Sequence, residues 1–298
     1  MEDIDNKDSE SLMEFDDLTG SELESFNRIL ENIYRERGVD FRQYRPRCLR
    51  RRILVAMHAH NLTRFADYLN VLKANPQEYE DLLNRITINV SEFLRNPETF
   101  KTVRELILPP IIEQKKKTGG KIVRIWSAGC ATGEEPYSIA IMIKEMIAQG
   151  KEDLIVSIFA TDIDDDALAK AAEGVYEQKA FRNLKAHQIK QFLESLPDAR
   201  YRIKPELKEM IKFSHHNMIS DLPLSRIDIV FCRNVVIYFN RELQRKVYQN
   251  FHKGLNKNGF LVAGKVETIM GIAEDIFDRL DYADRIFKKK IILDNESS

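Results

Sequence analysis

The chain has no apolar run near the ~18 residues that a membrane-spanning helix requires, which excludes that class. Its cysteines are only Cys48, Cys130 and Cys232, widely spaced and without a CxxC pair. They indicate neither a disulfide framework nor a zinc site, and they fit reduced thiols. A secretory leader needs a basic region followed by an apolar one, whereas Met1-Glu-Asp-Ile-Asp is acidic. Internal repeats and low-complexity tracts are also missing. What is present is a globular composition: 298 residues, 43% hydrophobic, 31% charged, with a formal net charge of −1. That excludes collagen-like and wholly disordered readings and predicts a soluble, cytoplasmic protein.

The charge is unevenly placed. Residues 1–17 hold eight acids against Lys7 alone, a local charge of −7, so the rest of the chain carries +6. Residues 1–20 read as an acidic disordered tail. The basic counterweight is Arg42, Arg45, Arg47, Arg50, Arg51 and Arg52. On a helix advancing about 100° per residue from Arg47, Leu49, Ile53, Ala56 and Met57 share one face. Arg47, Arg50, Arg51 and His58 share another. Such a stripe is either a solvated face or a docking surface for an acidic partner. Aromatic residues are not interleaved with the arginines and the pI is 6.6, which disfavours nucleic acid.

Residues 21–95 read as an all-helical domain. Ser21 opens a helix carrying Phe26, Ile29, Leu30 and Ile33; Thr63 is a candidate cap for a second, carrying Phe65, Tyr68, Leu69 and Leu72. That helix stops before Asn75-Pro76, and another runs through Tyr79, Leu82, Leu83 and Ile86. Residues 96–116 read as a linker. From 117 to 298 strands alternate with helices: 121–126, 154–160, 227–232, 260–263 and 285–287 are strand-like, with helices opened by Pro136 and from about Arg241. This is the pattern of a parallel α/β sheet covered on both faces. Residues 193–215 break the alternation, with short strands at 199–203 and 210–214, and read as a small inserted β-subdomain.

Chemistry collects at the strand ends. Ser127-Ala-Gly-Cys-Ala-Thr-Gly133 joins a strand to a helix, and its glycines permit close approach of a ligand. It lacks the dinucleotide GxGxxG and the Gly-Lys-Ser/Thr of a P-loop. Glu134 and Glu135 follow directly; they repel pyrophosphate but suit a ligand with amine, hydroxyl or sulfonium groups, which favours S-adenosylmethionine over NAD. Asp162 ends the second strand, where an acid accepts from ribose hydroxyls or caps the next helix. Asn217, Arg233 and Asn234 add polar groups at other strand ends, and Tyr238 lies one helical turn beyond Asn234, as a core tyrosine or a site group.

Asn89-x-Ser91-x-x-x-Arg95, residues 127–138 (SAGCATGEEPYS), 160–164 (ATDID) and 231–239 (FCRNVVIYF) resemble the CheR family, the chemotaxis receptor glutamate O-methyltransferases of bacteria. The resemblance spans Ser21 to about Lys288. It implies a helical N-terminal domain and a Rossmann-like, class I S-adenosylmethionine-dependent methyltransferase domain with an inserted β-subdomain. It implies a cofactor pocket of Asn89, Ser91, Arg95, Gly129, Glu135, Asp162, Asn217, Met218, Arg233 and Asn234, with Arg95 and Tyr238 nearest the transferred methyl. Substrate docking falls to Arg47, Arg50 and Arg51, with chemoreceptors as partners and no metal. Two departures stand out: Leu94 where a Phe is usual, and Ala263-Gly-Lys-Val-Glu267 where Gly-His-Ser-Glu is usual. Residues 193–200 also lack the glycines of members that dock a receptor C-terminal pentapeptide, so independence from that tether is expected.

Two rivals differ in class. A nucleic acid methyltransferase carries Asn/Asp-Pro-Pro-Tyr or a Pro-Cys nucleophile, and Arg233-Asn-Val-Val offers neither. The intact Arg95–Tyr238 pair counts against a non-catalytic sensor of S-adenosylmethionine or a nucleotide on the same fold, and a methyl-transfer assay decides between them.

Overall fold

The computed structural model describes residue 18 and residues 20–87, 91–148, 155–281 and 283–291. Residues 1–17 of the acidic stretch, and Asn89, lie outside the described residues. The chain divides into two compact units: residues 1–88 with 238–240, and residues 89–237 with 241–298.

The first unit is helical: α1 (Gly20–Arg37), α2 (Pro46–Ala59), α3 (Phe65–Ala74) and α4 (Pro76–Ile86). Each buries the face that its periodicity marks out. In α2 this is Leu49, Ile53, Ala56 and Met57, and in α1 it includes Phe26, Ile29, Leu30 and Ile33. The expected cap at Thr63 is replaced by a tertiary one. Arg64 holds the N-cap position of α3, and the Phe65 N–H donates to Glu22 Oε2 of α1 at 3.0 Å. Asn75 ends α3 and caps α4, its Oδ1 accepting from Gln77 N at 3.1 Å. The unit also takes in residues 238–240. Tyr44 and Phe239 form an antiparallel bridge with rings 4.8 Å apart, and Arg45 N donates to Tyr238 O at 2.8 Å.

The second unit runs α5 (Pro97–Thr102), a π-helical stretch Val103–Ile107, α6 (Leu108–Lys117), β1 (Ile122–Ala128), α7 (Glu134–Ala148), β2 (Ile155–Asp162) and α8 (Asp165–Glu173). It continues with β3 (Val175–Glu177), α9 (Ala186–Phe192), β4 (Leu193–Ser195), β5 (Arg200–Ile203), α10 (Pro205–Lys208), β6 (Ile211–His215) and β7 (Ile227–Cys232). Last come α11 (Arg241–Gly254), β8 (Leu255–Ala263), β9 (Phe277–Asp281) and β10 (Ile286–Lys289). The main sheet has the order β6-β2-β1-β7-β8-β10-β9. Five strands are parallel, and β10 is antiparallel to both β8 and β9. β7, buried at all six positions, lies inside the sheet as an unbroken apolar run should. The order reverses at β1, which has β2 on one side and β7 on the other, so the ligand crevice of such a sheet falls beyond the carboxyl ends of β1 and β7.

Three expected boundaries are corrected. Residues 96–116 are not a linker: Phe100, Val103, Ile107, Leu108, Ile111 and Ile112 are buried in the core of the sheet unit. Pro109 and Pro110 withdraw N–H donors from the preceding turn, and the ladder adjusts to a π-type bond from Leu108 N to Val103 O. Residues 91–95 likewise belong with the sheet unit, not the helical one. The insertion is also not 193–215. β6 is the edge strand of the main sheet, parallel to β2, and the small sheet is β3-β5-β4, beginning at Val175.

Candidate functional site

The turn after β1 is pinned by its neighbour strand: Thr161 O accepts from Gly129 N at 2.8 Å and Cys130 N at 3.0 Å. Gly129 (φ 77°) and Gly133 (φ 96°) are both left-handed. A Cβ on Gly129 would lie 2.6 Å from Val235 Cγ2, and one on Gly133 would lie 2.8 Å from Ala171 Cβ. Both positions therefore require glycine.

Asp162, 8% exposed, holds this turn. Its Oδ2 accepts from Ala131 N at 2.8 Å, and its Oδ1 from Ile163 N at 2.8 Å and Asp164 N at 3.1 Å. Burial raises its pKa, and those three backbone donors oppose the rise. The capping alternative is resolved in favour of Asp164, whose Oδ1 accepts from Ala167 N at 2.9 Å. Asp162 is thus left with lone-pair capacity for further donors.

Glu134 and Glu135 open α7; Glu134 is buried, and the Glu135 side chain is mostly so, at 13% exposure. Glu134 accepts from Thr132 Oγ1 at 2.9 and 2.7 Å, and Ser91 also hydrogen-bonds to it. Glu135 accepts from Ser127 Oγ at 2.8 Å and pairs with Arg233 Nη1 at 3.4 Å. Desolvation pushes both carboxyls above the ordinary range, and for Glu135 the charges of Arg233 and Arg95 act against it.

Arg233 links this pair to the 91–96 segment. It is 7% exposed, and its Nη2 donates to Arg95 O at 2.7 Å and Asn96 Oδ1 at 2.9 Å, while its guanidinium lies 5.5 Å from the Phe100 ring centroid. Leu94 (φ 48°) and Asn96 (φ 58°) are left-handed without being glycine. Leu94 N is met by Ser138 Oγ at 2.8 Å.

Beyond β7, Asn234 is left-handed at φ 63°, and its Oδ1 is buried without a hydrogen-bond partner. The turn is clamped by Glu267, 2% exposed, whose Oε1 accepts from Val235 N and Val236 N, both at 3.0 Å, and whose Oε2 accepts from Gly264 N. Met218 Cε approaches Gly129, lying 3.5 Å from where its Cβ would be. Asn217 spends its Oδ1 on Ile219 N at 3.0 Å, which leaves its amide nitrogen for other contacts.

Ser91, Arg95, Gly129, Glu135, Asp162, Met218, Arg233 and Asn234 therefore belong to one connected set at the strand ends. Tyr238 falls in the helical unit, as do Arg47, Arg50 and Arg51. On α2, Arg47, Arg51 and His58 are exposed, whereas Arg50 is half-buried with its guanidinium 5.9 Å from the Phe26 ring centroid. Arg42 pairs with Asp40 at 2.8 Å. Sequence reasoning missed Ser138, Asn96 and Glu267; the signal for Glu267 was an acid three residues past Gly264 at a strand end.

The set fits a cationic, hydroxyl-bearing ligand: two largely buried acids beside the glycine turn, an acid with spare acceptor capacity, and an orphaned amide oxygen on Asn234. Residues 89–284 match the family model "CheR methyltransferase, SAM binding domain", and residues 24–87 match "CheR methyltransferase, all-alpha domain". The chain belongs to the CheR methyltransferase family. It is a methyltransferase whose cofactor is S-adenosylmethionine. The chain is 31% identical to the chemotaxis protein methyltransferase of Borreliella burgdorferi, over 85% of this chain and 90% of that protein. It is 31% identical to the protein of the same name from Listeria innocua, over 84% and 90%. With that of Escherichia coli K12 it shares 30% over 81% and 83%. Among the described residues no cluster of His, Cys, Asp and Glu could hold a metal ion, and no helix is long and apolar enough to cross a membrane.

Proposed function

We propose that this CheR methyltransferase esterifies glutamate side chains of chemoreceptors, giving glutamate 5-O-methyl esters and S-adenosylhomocysteine. The observation that carries the reading is the Ser127–Glu135–Arg233 chain, which fixes the main-chain oxygen of Arg95 and the side chain of Asn96 beside the acid-lined turn.

A glutamate side chain has a pKa of about 4.3, so the nucleophile is already ionised at neutral pH and no general base is required. Accordingly, no site acid is given a proton-transfer role: Glu134 and Glu135 accept from neighbouring side chains, and Asp162 keeps acceptor capacity for ribose hydroxyls. Bound S-adenosylmethionine would supply an electrophilic sulfonium methyl and would leave as S-adenosylhomocysteine. The protein's task is to align a hydrated anion and to replace its water with fixed donors. Arg95 takes the orienting role, since a guanidinium can hold a carboxylate by two parallel donors. Tyr238 takes the role of a hydroxyl donor that orients the carboxylate, since a phenol O–H can donate to it. Glu135, Asp162, Asn217, Met218, Asn234 and the backbone at Gly129 hold the cofactor, with Ser91 completing the pocket. The exposed arginines of α2 dock an acidic, helical receptor surface.

The test is methyl transfer from labelled S-adenosylmethionine to receptor-enriched membranes, followed by mild base. Label released as volatile methanol is expected. Base-stable label would rule out an ester, and cofactor binding without transfer would favour the sensor reading. In the same assay Asp162→Ala should weaken S-adenosylmethionine and S-adenosylhomocysteine alike, because both carry the same ribose.

A further inference from the structure

We propose that the inserted subdomain braces the two segments that carry the site, with Asn183 and Tyr176 as its positioning residues. The proposal rests on the reading of residues 91–96 and 127–133 as substrate and cofactor segments.

Segment 91–96 contains two non-glycine residues in left-handed conformation, Leu94 and Asn96. Such backbone persists only where its surroundings over-determine it. On one side the surroundings are Arg233 and Ser138, described above. On the other they are the insertion. Phe93 N donates to Ala180 O at 3.3 Å, and Asn183 Nδ2 donates to Phe93 O at 3.2 Å. The Phe93 ring is fully buried between Tyr176, edge-on at 5.0 Å, and Phe181 at 4.7 Å. The backbone groups Phe93 N, Phe93 O, Leu94 N and Arg95 O thus have partners, and the first two are met by the insertion.

The same subdomain reaches the glycine turn. Tyr176 Oη donates to Thr132 O at 2.6 Å, and a Cβ on Gly133 would lie 2.9 Å from Tyr176 Oη. β3, which carries Tyr176, is an edge of the small sheet, paired to β5. One aromatic side chain therefore touches both Phe93 and the 132–133 turn. An insertion that served only to dock a partner needs none of these bonds. Together they hold Arg95 and the cofactor turn in one fixed arrangement.

A single hydrogen bond of this kind corresponds to about a fivefold change in an equilibrium or a rate. In the full-length chain, Asn183→Asp (same shape, donor lost) and Asn183→Ala should each lower kcat for receptor-enriched membranes about fivefold. Affinity for S-adenosylhomocysteine by calorimetry should stay within twofold. Tyr176→Phe, which removes only the hydroxyl, should instead weaken S-adenosylhomocysteine about fivefold. Lys179→Ala, an exposed change in the same insertion, should leave both unchanged. This split between kcat and affinity at an unchanged thermal midpoint is not what a merely structural role gives. The proposal is overturned if Asn183→Asp and Tyr176→Phe keep both values within twofold, or if their losses only track a smaller folded fraction. Arg95→Lys and Asp162→Ala separate the two readings. If neither alters kcat or affinity, the site assignment itself fails; if they do and the brace variants do not, the brace alone fails.

Discussion

Glu267 illustrates what one buried carboxylate can do without touching a substrate. It accepts from the backbone of Gly264, Val235 and Val236, and so fixes the turn that presents Asn234 in a left-handed conformation. Burial raises its pKa above 4.5 despite those donors. A carboxyl whose folded pKa exceeds its unfolded value favours the folded state below the unfolded pKa. That contribution is lost as pH rises through the folded pKa. Glutamine has the same shape and does not titrate. The stability of Glu267→Gln relative to the natural chain should therefore rise as pH increases from 4.5 towards neutrality, followed by denaturant midpoints at each pH. A gap that is flat or moves the other way would show that the backbone donors, not burial, dominate at this position. Asp162 was legible in the sequence because it ends an apolar strand beside two other acids. Glu267 was not, because two of its three partners, Val235 N and Val236 N, are main-chain groups some 30 residues away, which no side-chain pattern announces.

At the scale of elements, legibility followed amphipathic period. α2 was readable because Leu49, Ile53, Ala56 and Met57 recur on one face, and all four are buried. Two elements misled for opposite reasons. Residues 97–117 carry Pro109-Pro110 and three lysines at 115–117, the composition of a connector, yet their apolar positions pack into the sheet core. β6 buries only Ile211 fully among its five residues, so it resembles a strand of a minor sheet; as an edge strand of the main sheet it has one neighbour and a partly exposed face. The stripe on α2 supports a functional expectation at this scale. Arg47→Glu with Arg51→Glu should cut receptor methylation severalfold while leaving S-adenosylmethionine affinity unchanged, because the stripe and the cofactor residues belong to different units. Both arginines are exposed, so the fold should tolerate the change. An equal loss of cofactor affinity would make the helix a structural element and not a docking surface.

For the whole molecule, the question is how it finds its substrate, and here the charge map and the small sheet point the same way. Outside the acidic residues 1–17 the chain carries +6, and the exposed part of that charge includes the α2 stripe. The small sheet offers little to an incoming peptide. β4 and β5 each pair over three residues, and the chain turns between them through Leu196-Pro-Asp-Ala199. Leu196 N donates to Arg200 O at 2.8 Å, and Ala199 takes the left-handed φ of 60° that glycine would occupy more cheaply. Asp198 pairs with Arg200 across the turn. A peptide that adds a strand needs an exposed edge of useful length and a loop able to close on it, and this tight, glycine-free turn supplies no such loop. We therefore expect methylation to proceed without a receptor C-terminal pentapeptide and to rely on exposed charge. Exposed pairs are screened over about 10 Å at ~0.1 M salt, so the KM for receptor should climb steeply between low and moderate ionic strength. Methylation of receptors with and without their C-terminal residues, measured across a salt series, reads both expectations together. Micromolar binding of a C-terminal peptide that maps to residues 193–203, with a KM indifferent to salt, would place docking on the sheet edge instead.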